Sequence, residues 1–322
     1  MSEQMSAQYR QVVQDLEQGR TVLIDGGTGT EIERRGIKTV TEAWSSSGAL
    51  DGPEIVQEVH EDYLRTGARI VISNTFATSL HALVDAGMEE HFENLNRDGV
   101  NLVHQAIERS GIGAVVAGGI TDWSWTRRHP PLDVLRLGVE AQAKIMADAG
   151  AELLLLEMMA DVERMLTVLD AAQQSGLPVW VGFSCTTGFL EGEPGYQLGP
   201  GEPVPPHPAP GQVRLLNGPT LAEGLQALAG KDVPVVSIMH SQVEDIDAAL
   251  DVTDQHWSGP VGVYAHSGHF VKPNWIFNDV ISPADYRTAA AGWVDRGVQV
   301  IGGCCGIGPA HMELLAGELD GR

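Results

Sequence analysis

The sequence predicts a (β/α)8 barrel, and three observations carry that expectation. Eight short, mostly apolar runs alternate with helical patterns, as parallel strands covered on both faces do. At 322 residues the chain exceeds a common single-domain size but suits a barrel built as one unit. Its 38 glycines and 43% apolar content fit many tight strand–helix turns. The competing architecture, a doubly wound open sheet, usually carries G-x-G-x-x-G after its first strand, and no such phrase follows the first run here. One domain spanning residues 1–322 is expected.

The strand-like runs are 21–25, 68–74, 113–118, 152–157, 177–185, 233–240, 260–265 and 299–303. Asp51-Gly52-Pro53-Glu54 opens a helix, with Pro53 suited to the first helical position. Its apolar stripe Ile55, Val59, Tyr63, Leu64 stops at Gly67. Ser282-Pro283-Ala284-Asp285 opens another, a capping-box-like start with Asp in place of Glu. A last helix begins near Gly308-Pro309-Ala310 and carries Met312, Leu314 and Leu315. The segment 187–218 is rich in glycine and proline without a sustained period and reads as a long loop after the fifth strand.

Charge and cysteine usage narrow the partners. A net charge of −23 opposes binding to nucleic acid or an anionic membrane surface. Residues 1–20 are polar without an apolar signal core, and no run approaches the roughly eighteen apolar residues of a membrane span. Three cysteines, two of them adjacent, do not make a disulfide framework, so a reducing cytoplasm is the expected location.

Barrel enzymes place their chemistry at the carboxyl ends of the strands. Here those ends are polar: Asp25-Gly26-Gly27-Thr28, Asn74-Thr75-Phe76, Thr121-Asp122-Trp123, Glu157, Ser184-Cys185, Met239-His240, His266-Ser267 and Cys304-Cys305. Any one of them reads as a turn or a helix cap; their gathering on one rim reads as a site. The strongest signal is Gly302-Gly303-Cys304-Cys305-Gly306. Neighbouring strand residues point to opposite faces, so both thiols meet one ion only if the backbone leaves β geometry, which the flanking glycines permit. Two small buried core cysteines would be the plainer reading. A third ligand must come from a neighbouring strand end, and His240, Cys185 and His266 are all chemically competent. Cys2His with one open position is a catalytic zinc arrangement.

These motifs resemble the zinc-dependent homocysteine S-methyltransferase family over nearly the whole chain. The family's first-strand Asp-Gly-x-x-Gly-Thr is matched by residues 25–30, its Thr-Asn-Thr-Phe-like end by Ser73-Asn74-Thr75-Phe76, its fourth-strand glutamate by Glu157, and its Gly-Gly-Cys-Cys-Gly by residues 302–306. One departure stands out: Ser237-Ile238-Met239-His240 puts histidine where the family's sixth strand carries its remaining zinc cysteine. The resemblance therefore implies Zn2+ on His240, Cys304 and Cys305, with Cys185 as the rival. It further implies Asp25 and Glu157 on the amino group of homocysteine, with its carboxylate on the backbone amides around Gly26, Gly27 and Thr28 or on those of Asn74 and Thr75. The donor side would be Trp44, with Trp123 and Trp125 adding to an aromatic cage. Ala77 and Met158 stand where the betaine-dependent enzymes carry aromatics. The implied reaction moves a methyl group from a sulfonium or quaternary ammonium donor to the homocysteine thiol, giving methionine. The partners are then two small molecules, a thiol and a methyl donor. The histidine exchange makes the site one unit more positive, which leaves an altered acceptor or a barrel that binds without turnover as the alternative. A hydrolase using metal-bound water is disfavoured, because no carboxylate is evidently placed as general base.

Overall fold

Period-two alternation of apolar residues, buried on both faces, closes eight parallel strands into a barrel. The computed structural model describes residues 6–38, 43–190, 192–193, 212–271, 274–276 and 279–319. The barrel strands are β1 (Val22–Leu23), β2 (Ile70–Ile72), β3 (Val115–Ile120), β4 (Leu153–Met159), β5 (Val179–Phe183), β6 (Val236–Gln242), β7 (Val261–His266) and β8 (Val300–Ile301). Their order around the ring is β1-β8-β7-β6-β5-β4-β3-β2, all parallel, and a parallel bridge from Ile24 to Ile70 joins the two ends. Each strand overlaps its predicted run, and the barrel expected from the alternation is the barrel observed.

The alternation sorts side chains into two cores. Val22, Ile24, Ile70, Val115, Leu153, Leu155, Trp180 and Val300 point inward and form one cluster. Leu23, Val71, Val116, Leu154, Val181 and Val263 point outward and pack under the helices as a second. The register Val22–Val300–Gly262–Ser237–Gly182 crosses five strands. A Cβ at Gly262 would stand 2.3 Å from Ser237 Oγ, so any side chain there would displace the Ser237 hydroxyl.

The helix starts read from sequence are present. Pro53–Arg65 carries proline in its first turn, Ser282 caps Pro283–Asp295 by accepting from Asp285 N at 3.1 Å, and Pro309–Leu319 closes the described chain. A helix that the sequence reading did not assign, Ala7–Glu17, covers the amino-terminal end of the barrel. Its Tyr9, Val12 and Leu16 join the inner core, and Trp180 Nε1 donates to Tyr9 Oη at 3.3 Å.

One expectation needs correction. The run 177–185 is split: β5 ends at Phe183, and Cys185–Thr186 pairs antiparallel with Arg214–Leu215. The expected loop 187–218 therefore contains strand at its far end, because Cys185 and Leu215 bury their side chains in the outer core. The proline-rich residues 194–211 lie outside the described residues. Among the described residues, no helix is long and apolar enough to cross a membrane.

Candidate metal centre

Past β8 the chain leaves strand geometry, as the adjacent thiols require. Cys304 N donates to the Ala265 carbonyl at 2.9 Å, Ile307 N closes a turn onto the Cys304 carbonyl at 3.0 Å, and Gly306 adopts φ 82°. The first-strand loop packs directly on this turn. Gly303 N donates to the Asp25 carbonyl at 3.0 Å, and a Cβ on Gly27 would lie 2.5 Å from the Cys304 carbonyl oxygen. Both thiols thus reach one pocket.

His240 arrives from β6 through a bulge. The β6–β7 register shifts between Met239 and Gln242, and His240 takes φ 44°, which re-aims its ring inward. Its Nδ1 is 3.5 Å from Cys304 Sγ, and Cys304 Sγ is 4.0 Å from Cys305 Sγ. The donor atoms of His240, Cys304 and Cys305 all lie within 4.8 Å of one another. Burial and the adjacent His266 hold the His240 imidazole well below its usual range, hence neutral. The Cys305 thiol and burial hold Cys304 well above the usual thiol range. A neutral imidazole and two sulfurs form a donor set that a borderline-soft divalent ion fits.

The two other candidate ligands fall outside this group. Cys185 is in the outer core, its Sγ 3.6 Å from Ser241 Oγ and its thiol pushed up to about 12 by burial. His266 lies beside His240, ring centroids 4.5 Å apart.

Asp25 and Glu157 line the same pocket as the thiols. Asp25 Oδ2 accepts from Ile72 N at 2.7 Å; burial first, and Glu157 in addition, raise its pKa well above the usual carboxylate range. Burial pushes Glu157 up to about 8. Gly119 makes the space, since a Cβ there would lie 2.5 Å from Glu157 Oε2. No Lys or Arg among the described residues lines this pocket, so two buried acids face a cavity that lacks a resident cation. Such a pair suits an incoming ammonium.

Part of the pocket wall is aromatic. Trp44 meets Phe76 edge-on at 5.9 Å, Phe76 meets Trp123 at 5.6 Å, and Trp123 meets Trp125 at 6.0 Å. Gly26, Gly27, Thr28 and Asn74 line the same pocket. Asn74 also fixes the Trp44 loop, donating through Nδ2 to the Ser45 carbonyl at 2.8 Å and accepting from Ser45 Oγ at 3.0 Å. Thr75 is placed differently. It is fully buried outside the lining, its N–H bonded to Ser73 O at 2.7 Å and its hydroxyl to Gly119 O at 2.9 Å.

Sequence reasoning placed Phe76 and Met239 in the rim groups without a role for either and left out Tyr264; all three line the cavity. Tyr264 was findable: it sits two residues before His266, in the same inward register of β7.

A homocysteine S-methyltransferase family profile matches residues 22–319. Homocysteine S-methyltransferase 1 of Zea mays is 22% identical, covering 97% of this chain and 98% of that protein. The selenocysteine Se-methyltransferase of Brassica oleracea is 26% identical, covering 95% and 91% respectively. S-methylmethionine–homocysteine S-methyltransferase BHMT2 of Pongo abelii is 24% identical, covering 96% and 81%. In three dimensions the chain resembles the metallated form of the Escherichia coli homocysteine methyltransferase MmuM, with TM-score 0.70 at 24% identity over 94% of this chain and 97% of that one.

Proposed function

The chain belongs to the homocysteine S-methyltransferase family, and from that premise we propose that it transfers a methyl group from a sulfonium or quaternary ammonium donor to homocysteine, with zinc held by His240, Cys304 and Cys305. The observation that carries this is the meeting of two sulfurs and an imidazole nitrogen within 4.8 Å, in a pocket that also holds two buried acids and an aromatic wall. Held by His240, Cys304 and Cys305, a zinc ion would have room for an incoming sulfur. When bound, zinc supplies the acceptor as a thiolate at neutral pH, where a free alkyl thiol is mostly protonated.

The remaining work belongs to the protein. Asp25 and Glu157 bind the acceptor's ammonium, and its positive charge returns them to carboxylates. The acceptor's carboxylate is assigned to the backbone of Gly26 and Thr28; the N–H of Gly27 is already committed to the Ile307 carbonyl at 2.8 Å. Trp44, Phe76 and Trp123 hold the onium donor by their ring faces. In the transfer, a sulfur–carbon bond forms as the donor's own bond to the methyl carbon breaks, and the electron pair leaves with a neutral product. No proton moves in that step, so no general base is required.

His240 in place of a thiolate favours a second reading of the acceptor. A more positive centre acidifies a bound thiol and lowers its nucleophilicity, which gives a more nucleophilic selenol an advantage. Zinc-loaded protein is therefore offered homocysteine or selenocysteine with betaine, S-methylmethionine, S-adenosylmethionine or dimethylsulfoniopropionate in turn. A methylated product with one donor class is expected, and Cys304→Ala should lose zinc and turnover together. Saturable binding without product for every pairing would reassign the barrel to binding alone. Unchanged zinc content and turnover in Cys304→Ala would remove the metal centre.

A further inference from the structure

His266 touches the centre without joining its donor set. It ends β7, is 5% exposed, and its ring lies 4.5 Å from that of His240 at an interplanar angle of 41°. It also lies against the His240 backbone. The residues on either side of it hold the cysteine turn: the Ala265 carbonyl accepts from Cys304 N at 2.9 Å, and Ser267 N donates to the Cys305 carbonyl at 3.0 Å. One strand end therefore grips both thiol-bearing residues through its backbone and packs on the third donor through a side chain.

His240 requires that support. A φ of 44° is a left-handed conformation that non-glycine residues keep only where surrounding contacts over-determine it. The register shift beside it removes regular ladder pairing at this point. Were the ring free to rotate about its bond to the backbone, Nδ1 would not be held 3.5 Å from Cys304 Sγ.

We propose that His266 is a positioning residue of the metal centre: its ring packs on His240, stabilises the bulge, and sets the plane that brings Nδ1 to the two thiols. This rests on the metal-centre reading given above, and the test separates the two. Zinc affinity is measured on the full chain by chelator competition for the parent, His240→Ala, His266→Ala and His266→Phe. Loss of a residue that orients a ligand weakens metal binding by about 10–100-fold, which is the expectation for His266→Ala. His266→Phe keeps a ring but no ligand atom, and should stay within about threefold of the parent. The Co2+-substituted parent and His266→Phe should share one visible spectrum, while His266→Ala shifts it. His266→Asn is a second small variant, read as His266→Ala is if the alanine protein does not fold. Parent-like affinity in the small variants overturns the positioning role. So does a loss in His266→Phe as large as in His266→Ala with an altered cobalt spectrum, which would make His266 a ligand. A parent protein that binds no zinc overturns the centre, and this role with it.

Discussion

Glu157, which the proposal above places on the acceptor's ammonium, works against the stability of its own fold. Burial pushes its carboxyl from the ordinary value of 4.5 up to about 8, so between those values the folded chain holds a proton that the unfolded chain releases. Its contribution is fully present below pH 4.5 and is lost as pH rises through 8. By pH 7 the cost reaches about 3 kcal/mol. Glu157→Gln should remove this cost, raising unfolding free energy at pH 7 by a few kcal/mol with the gain vanishing near pH 4.5. It should at the same time weaken acceptor binding. Denaturant unfolding from pH 4.5 to 8, beside acceptor KM, checks both; a destabilised variant across that range would refute the argument. At this scale the sequence was readable wherever a polar residue stands at or just past the carboxyl end of a strand, as Asp25, Glu157 and Cys304 do. Phe76 and Met239 were given no role, because an apolar residue in a pocket wall has the same local pattern as one in a core.

At the scale of elements, the site is built by two bulges and one pinned loop. Strict alternation allows only one of Glu157 and Met158, and one of Met239 and His240, to face the pocket. Register shifts at Leu156/Met159 and Met239/Gln242, with φ 57° at Met158 and 44° at His240, bring in both of each pair. Neither bulge carries a glycine at its turning residue, so neither left a mark in the sequence. The loop bearing Trp123 and Trp125 is clamped from two helices. Arg164 Nε pairs with Asp122 at 2.7 Å, His81 Nε2 lies 2.9 Å from the Trp123 carbonyl, and Asp85 accepts from Ser124 and Thr126 and pairs with Arg128. Asp85→Ala should release the outer part of that wall and raise donor KM roughly tenfold, equivalent to about 1.4 kcal/mol. Acceptor KM and zinc affinity should hold. Kinetics with each substrate varied in turn decide it, and a parallel rise in both KM values would place Asp85 in general stability instead.

For the whole molecule, the alternation of strands and helices made the barrel readable, because eight runs of one type leave few ways to bury both faces. What escaped was how its amino-terminal end is sealed. Residues 1–20 are polar on average, yet Tyr9, Val12 and Leu16 fall on one face of the Ala7–Glu17 helix and close the inner core beneath Val22, Val115 and Leu153. The helix has five apolar residues among eleven, and Tyr9, Val12, Val13 and Leu16 form a stripe that gains its meaning from the ring of inward side chains it covers. The seal and the pocket occupy opposite ends of the same core, and the pocket residues are held by the strand ends and loops around them. Stability and catalysis should therefore separate here. Val12 is fully buried, and Val12→Asp places an unpaired carboxylate in that core at a cost of about 3–5 kcal/mol. Tm should fall by several degrees, while kcat/KM and zinc content at low temperature stay at parent values. Thermal unfolding and assays at low temperature test this together; a loss of activity in protein that is still folded would show that the plug transmits to the site through the barrel interior.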